Sequence, residues 1–208
     1  MKERITLTMS QHDRSIWQGS MVKMVYLILL LKIFSPILFS GPVYAEEQVG
    51  LDYFDPKYKG TLATVERYHL TKQTFWKDFE SKQYGQALNE LKFVLRYFPN
   101  HPKALQLMEL VAKTMDQPYS VTPYYARAVG LYPQYALTHA QYGNWLVDVG
   151  QTEEGIGRLQ RAIQIDPKLA VAYAWLSNAY AKIGNLEMAR QIAEKAKELG
   201  LNVQDRSK

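Results

Sequence analysis

"LRYFPNHPKAL", residues 95–105, sets Pro99 and Pro102 three residues apart between two segments whose apolar residues recur at helical spacing. Proline inside a helix costs about 3 kcal/mol, because it removes a backbone donor and clashes with the preceding turn. The stretch therefore closes one helix and opens another. It is not unique. "GLYPQYALTHA" at 130–140 and "QIDPKLAVAYA" at 164–174 repeat the arrangement, and the steps from Pro99 to Pro133 and from Pro133 to Pro167 are both 34 residues. A fixed period of this size marks a stack of like units.

Composition limits the alternatives. With 208 residues, 47% of them hydrophobic, the chain has enough for one domain with a real core. It has no cysteine, which excludes disulfides, thiolate metal sites and a cysteine nucleophile. Five of the 25 Lys/Arg and two of the 20 Asp/Glu fall in residues 1–45, so the remainder carries a net charge of only +2. No basic block stands there, and nucleic acid is not an expected partner.

Residues 21–45, "MVKMVYLILLLKIFSPILFSGPVYA", account for the imbalance. Lys23 supplies a positive start, residues 25–39 an apolar core, and Val43, Tyr44 and Ala45 a small-residue cleavage pattern before Glu46. A spanning helix needs about 20 apolar residues, and this run is shorter, with Lys32 and Pro36 inside it. Residues 1–45 are therefore expected to form an export signal, with translation starting at Met1, Met21 or Met24. The alternative is an inner-membrane anchor over 25–40.

Laying residues 68–101, 102–135, 136–169 and 170–203 over one another puts the three prolines in one column. The third unit carries Gly143, Leu146, Gly150, Leu159 and Ala162; the fourth carries Tyr173, Leu176, Ser177, Tyr180, Gly184, Ala189 and Ala196. This pattern resembles the tetratricopeptide repeat of exported bacterial proteins, over residues 71–203. The resemblance implies an all-α solenoid of about four antiparallel helix hairpins. Ahead of it, residues 46–70 read as an irregular arm with a helical stretch at 64–69; residues 204–208 are a polar tail. In the second unit Thr122 is expected to cap a short helix with Pro123 at its first position, after a loop at 116–121.

Candidate chemistry is sparse. His12, His69, His101 and His139 are not spaced as metal ligands, and no phosphate loop or nucleophile elbow occurs. No cofactor, metal or catalytic residue is expected. A non-catalytic scaffold or adaptor of the periplasm or extracellular space is the leading reading, with an extended peptide or protein as partner. A membrane-tethered assembly factor of an envelope machine is the alternative, and an enzyme with a site in the arm or at 116–122 the remote one. By the family resemblance, first helices line a concave groove. That places Gln141, Asn144 and Asp148 on one ridge of the groove and Trp175, Asn178 and Lys182 on the next. Asn144 and Asn178 share a column whose asparagine, in the family, commonly pairs with the backbone of a bound peptide. The family's carboxylate clamp needs lysines where Leu137 and Ala140 stand, so an acidic C-terminus is not the expected ligand.

The cleavage pattern yields one measurable outcome: the mature protein begins at Glu46 and is recovered soluble. Intact mass of the native protein checks this, and a membrane-bound product retaining residues 25–45 would overturn it.

Overall fold

The computed structural model describes residues 50–201. The expected export signal and the polar tail lie outside the described residues. Within them the chain is helical throughout: α1 (Lys59–His69), α2 (Lys77–Glu80), α3 (Tyr84–Tyr97), α4 (Pro102–Thr114), α5 (Thr122–Leu131), α6 (Ala136–Asp148), α7 (Thr152–Ile165), α8 (Ala170–Lys182) and α9 (Leu186–Glu198). A π turn, Lys72–Trp76, runs directly into α2. Four helical hairpins result, of which α2–α3 is the first and α8–α9 the last.

Each first helix ends in the same way. The residue after each first helix's last turn has left-handed backbone: Lys82, Asp116, Gly150 and Gly184, each 34 residues after the one before, with φ of 59, 54, 89 and 81°. Beyond each, a backbone N–H reaches five residues back to close the turn: Gln83 to Asp78, Gln117 to Ala112, Gln151 to Leu146 and Asn185 to Tyr180, all at 2.8–2.9 Å. This is the Schellman ending, and glycine adopts it without the clash a Cβ brings. The first two hairpins make it with lysine and aspartate instead.

What separates the hairpins is how closely their two helices approach. In the third, Gly143 faces Gly155. A Cβ on Gly143 would lie 2.7 Å from Leu159 Cγ and 2.8 Å from the Gly155 carbonyl oxygen. In the fourth, the same columns hold Ser177 and Ala189, and the serine Oγ donates to the Ala189 carbonyl at 2.7 Å. The second hairpin has Glu109 and Val121 in these columns, and α4 and α5 stand apart. The chain between them folds a 3-10 turn, Pro118–Ser120, back against α4.

Stacking is uneven in a way that sets the curvature. First helices of successive hairpins pack together, α4 on α6 and α6 on α8, more closely than successive second helices do. The stack therefore bends toward the first helices, which line its inner wall. Helix α6 lies at the centre, with only Leu137, Asn144 and Asp148 not buried. Tyr142, Trp145 and Leu146 join a core that extends back to Val65, while Ala140 and Val147 join a second core with Leu159, Ala172 and Leu176. At the far end Arg190, Glu194, Lys197 and Glu198 of α9 are exposed, so the last helix closes the stack with charge.

Two expectations need correction. The arm's helix is longer than the stretch at 64–69: α1 occupies Lys59–His69, with Val65 buried and Leu62 packed on the same core. Its pattern was faint because a helix covering the end of a stack buries a single narrow stripe. Thr122 does not cap α5. It lies inside the helix, whose N-cap is Val121, and its hydroxyl is buried without a partner.

Close approach at Gly143 predicts an asymmetric pair of glycine substitutions. Gly143→Ala must push α6 off α7 and should cost about 1–3 kcal/mol. Gly157→Ala, with nothing within 4 Å of the new Cβ, should gain about 0.5–1 kcal/mol as a helix-interior glycine is replaced. Urea denaturation of the two variants beside the parent reads both values.

Candidate protein-binding groove

The inner wall is built from α4, α6 and α8, and the six candidate residues divide sharply on it. Gln141 is buried at 3% exposure, and its Nε2 donates to the Pro102 carbonyl at 3.1 Å, bracing the start of α4. It is therefore removed from the set that could face a ligand. Its side chain turns along the seam toward the start of α4, which spacing alone does not reveal; Trp175, one repeat later in the same column, is only half-buried. Asp148 accepts from Lys113 Nζ at 2.6 Å, and that ammonium also lies 5.3 Å from the centre of the Trp145 ring. Lys182 donates to the Val147 carbonyl. These polar groups tie one hairpin to the next.

Asn144 and Asn178 remain. Asn144 is half-buried and Asn178 exposed, and neither side chain hydrogen-bonds to any other group among the described residues. Trp175 is half-buried, with its ring against the second core. Leu110, in the same column as the two asparagines one repeat earlier, is 39% exposed and extends the wall with an apolar residue. Its place in that column was the signal that could have found it.

Deeper in the second hairpin sits a polar group that sequence reasoning missed. Glu109 accepts a hydrogen bond from the Tyr125 hydroxyl, and the fully buried Tyr125 ring stacks on Tyr142 at 5.3 Å, nearly parallel. The Arg158 guanidinium covers the other ring, 4.8 Å from the Tyr142 centre. Burial pushes the Glu109 carboxyl up to about 7, against the lowering effects of Tyr125 and Lys113. Burial likewise raises the Tyr125 hydroxyl well above its ordinary value. The two side chains fill the space that glycine closes in the third hairpin.

The histidines hold structure. His101 caps α4, its Nδ1 accepting from the Ala104 N–H at 3.3 Å, which leaves Nε2–H to donate to Glu66 at 3.1 Å. Burial lowers its pKa despite the neighbouring Glu66. His139 Nε2 donates to the Pro133 carbonyl at 3.1 Å, and burial lowers its pKa as well. His69 pairs with Glu90 at 2.6 Å and stacks on Phe93. Among the described residues no three His, Cys, Asp or Glu side chains gather closely enough to hold a metal ion, and no helix is long and apolar enough to cross a membrane.

Residues 159–191, from the middle of α7 into α9, match the family model described as tetratricopeptide repeat. These residues carry a tetratricopeptide repeat. No curated protein matches the sequence. Among solved structures, the array is similar to YrrB, described as a TPR protein with an unusual peptide-binding site. The two are 24% identical over 59% of this chain and 63% of that one, with a TM-score of 0.47. The chain thus spans less than two thirds of YrrB. It is also similar to MamA, at 21% identity over 67% of this chain and 74% of that one, with a TM-score of 0.49. Residues 41 to the end of MamA from Desulfovibrio magneticus RS-1 give 20% identity, 72% and 89% coverage, and a TM-score of 0.49.

The raised carboxyl in this array has a calculable consequence. Between about pH 4.5 and 7 the folded state keeps a proton on Glu109 that the unfolded chain has released. Stability contributed by this group is therefore present at the acidic end and lost as pH rises, by on the order of 3 kcal/mol. Glu109→Gln keeps an acceptor for Tyr125 and removes the titration. Comparing the slope of unfolding free energy against pH for parent and variant isolates Glu109 from His101, whose lowered pKa acts in the opposite direction.

Proposed function

We propose that this protein is a non-catalytic adaptor of the bacterial cell envelope that holds an extended segment of a partner protein along its inner wall. The observation that carries this reading is the pair Asn144 and Asn178. They stand one repeat apart on adjoining first helices, with amide groups that no neighbour uses. An asparagine amide donates and accepts at once, which matches the alternating N–H and C=O of an extended peptide. Unpaired amides recurring at one-repeat spacing fit a ligand with a repeating backbone better than a compact one.

Trp175 and Leu110 supply apolar contact on either side of the amides. A half-buried tryptophan has further area to lose, and residues of this type dominate binding energy when a partner covers them. The remaining polar groups on the wall, Asp148 with Lys113 and Lys182 with Val147, are already committed to joining hairpins. They shape the groove, and the Lys182 ammonium, bonded to a neutral carbonyl, leaves it a positive charge. A partner segment with apolar side chains to meet Trp175 and Leu110 is the best match, and the export signal read in residues 1–45 supports an envelope location.

Crosslinking in intact cells identifies the partner, and titration of the purified pair tests the site. Trp175→Ala should weaken binding by about 2 kcal/mol, and Asn144→Ala with Asn178→Ala by about 1–3 kcal/mol. Circular dichroism melts of both variants should remain cooperative. Undiminished affinity in both would place the partner elsewhere on the molecule.

A further inference from the structure

The segment before α1 is held as a ligand would be held. Residues 50–55 cross the two turns that precede α4 and α6, with a turn of their own at 52–55, where Asp55 N–H donates to the Asp52 carbonyl at 3.2 Å and Phe54 N–H to Asp52 Oδ1 at 3.0 Å. The array reads their backbone at three points. Tyr132 Oη donates to the Gly50 carbonyl at 2.6 Å, Leu51 N–H donates to the Tyr97 carbonyl at 2.7 Å, and Tyr53 N–H donates to Asn100 Oδ1 at 2.9 Å. One side chain is read as well. Asp52 Oδ1 accepts from Asn100 Nδ2 at 2.8 Å, and Asp52 Oδ2 accepts from Tyr135 Oη at 2.5 Å. Tyr53 lies against the His101 ring and Phe54 against the Tyr135 ring, at 4.6 and 4.4 Å.

The two sides of this contact differ in how firmly they are built. Asn100 is wholly buried, and both ends of its amide are spent on the segment. A buried amide that loses its partners carries a desolvation cost, so the seat requires an occupant able to replace those bonds. No residue of the segment from Gly50 to Lys59 is fully buried; Leu51, Tyr53 and Tyr58 are half-buried against the edge of the first core. Elements with few buried contacts and mostly peripheral hydrogen bonds open at low cost, independently of the rest.

We propose that this seat, formed by Tyr97, Asn100, His101, Tyr132 and Tyr135, is a second peptide-binding site. Its own chain occupies it, and it accepts in exchange a partner segment that makes the same turn, with an aspartate followed by two aromatic residues. Backbone pairing supplies the sequence-independent part of recognition, and the aspartate, held between an amide and a phenol, supplies the specific part. Neither depends on the asparagines of the groove, so the two sites can be tested separately. The tethered segment competes at high effective concentration, and a free peptide gains access only when the tethered copy is weakened.

The experiment uses the full chain and a fluorescent peptide of residues 50–58, GLDYFDPKY, with anisotropy as the readout. Asp52→Ala in the protein removes the tethered carboxylate while leaving the seat intact, and should tighten peptide binding by about tenfold over the parent. Adding Tyr135→Phe to that background keeps the ring under Phe54 and deletes one hydroxyl; binding should then fall by about tenfold, as it should when the peptide's own aspartate is alanine. Equal binding by parent and Asp52→Ala protein, no binding to the Asp52→Ala protein, or indifference to Tyr135→Phe would each overturn the proposal. None of these results bears on Asn144 and Asn178, whose test uses a different ligand and different variants.

Discussion

Helix α6 has almost no face in water, and the rest of the array depends on that. Tyr142, Trp145 and Leu146 pack backward into the core of the first two hairpins, while Ala140 and Val147 pack forward into the core of the last two. Gly143 lets α7 press against it closely enough that backbone atoms nearly touch. A helix with one buried stripe can be added to the end of a stack, but only a helix buried on several sides can join two stacks. The cores on either side belong to one body because α6 is shared between them.

Around that helix the hairpins divide into two kinds. The third and fourth are closed by small residues, Gly143 with Gly155 and Ser177 with Ala189, and turn on glycine at Gly150 and Gly184. The second has Glu109 and Val121 at the contact and turns on Asp116. Small residues bring helices together by removing bulk, and polar bulk keeps them apart. The opened hairpin then needs filler, which Tyr125 supplies, and the Tyr125 hydroxyl needs an acceptor, which Glu109 supplies. A single departure at one column thus accounts for the aromatic stack, the raised carboxyl and the loop folded against α4.

The fold class was legible because three prolines 34 residues apart mark boundaries that no other arrangement of helices would repeat. The left-handed turns at Lys82 and Asp116 were not, since neither position carries the glycine that announces such a turn. Helix α1 was hidden by its exposure: covering the end of a stack leaves only Leu62, Val65 and Leu70 as apolar marks, too few to set a period. For the candidate site, the register placed Asn144 and Asn178 in one column. It could not tell that their amides stay unpaired while Gln141, three residues before Asn144, is spent on Pro102. Partner choice among polar side chains depends on where the adjoining helix ends, and sequence spacing does not encode that distance. The role of Asp52 was equally invisible, because its bonds reach residues 48 and 83 positions away.

Those separations also order events in time. Between hairpins the side-chain ties join residues 20 to 39 apart, as in Gln160 with Tyr180 and Gln141 with Pro102, so each repeat can settle as soon as its neighbour exists. The leading segment obeys a different clock. It is the first described part of the chain to be synthesised, yet its seat is unfinished until Tyr132 and Tyr135 have been made, more than 80 residues later. At synthesis rates of roughly 5–20 residues per second, the segment waits several seconds with its aspartate and aromatic rings unclaimed. Throughout that interval the segment is available to whatever meets the nascent chain.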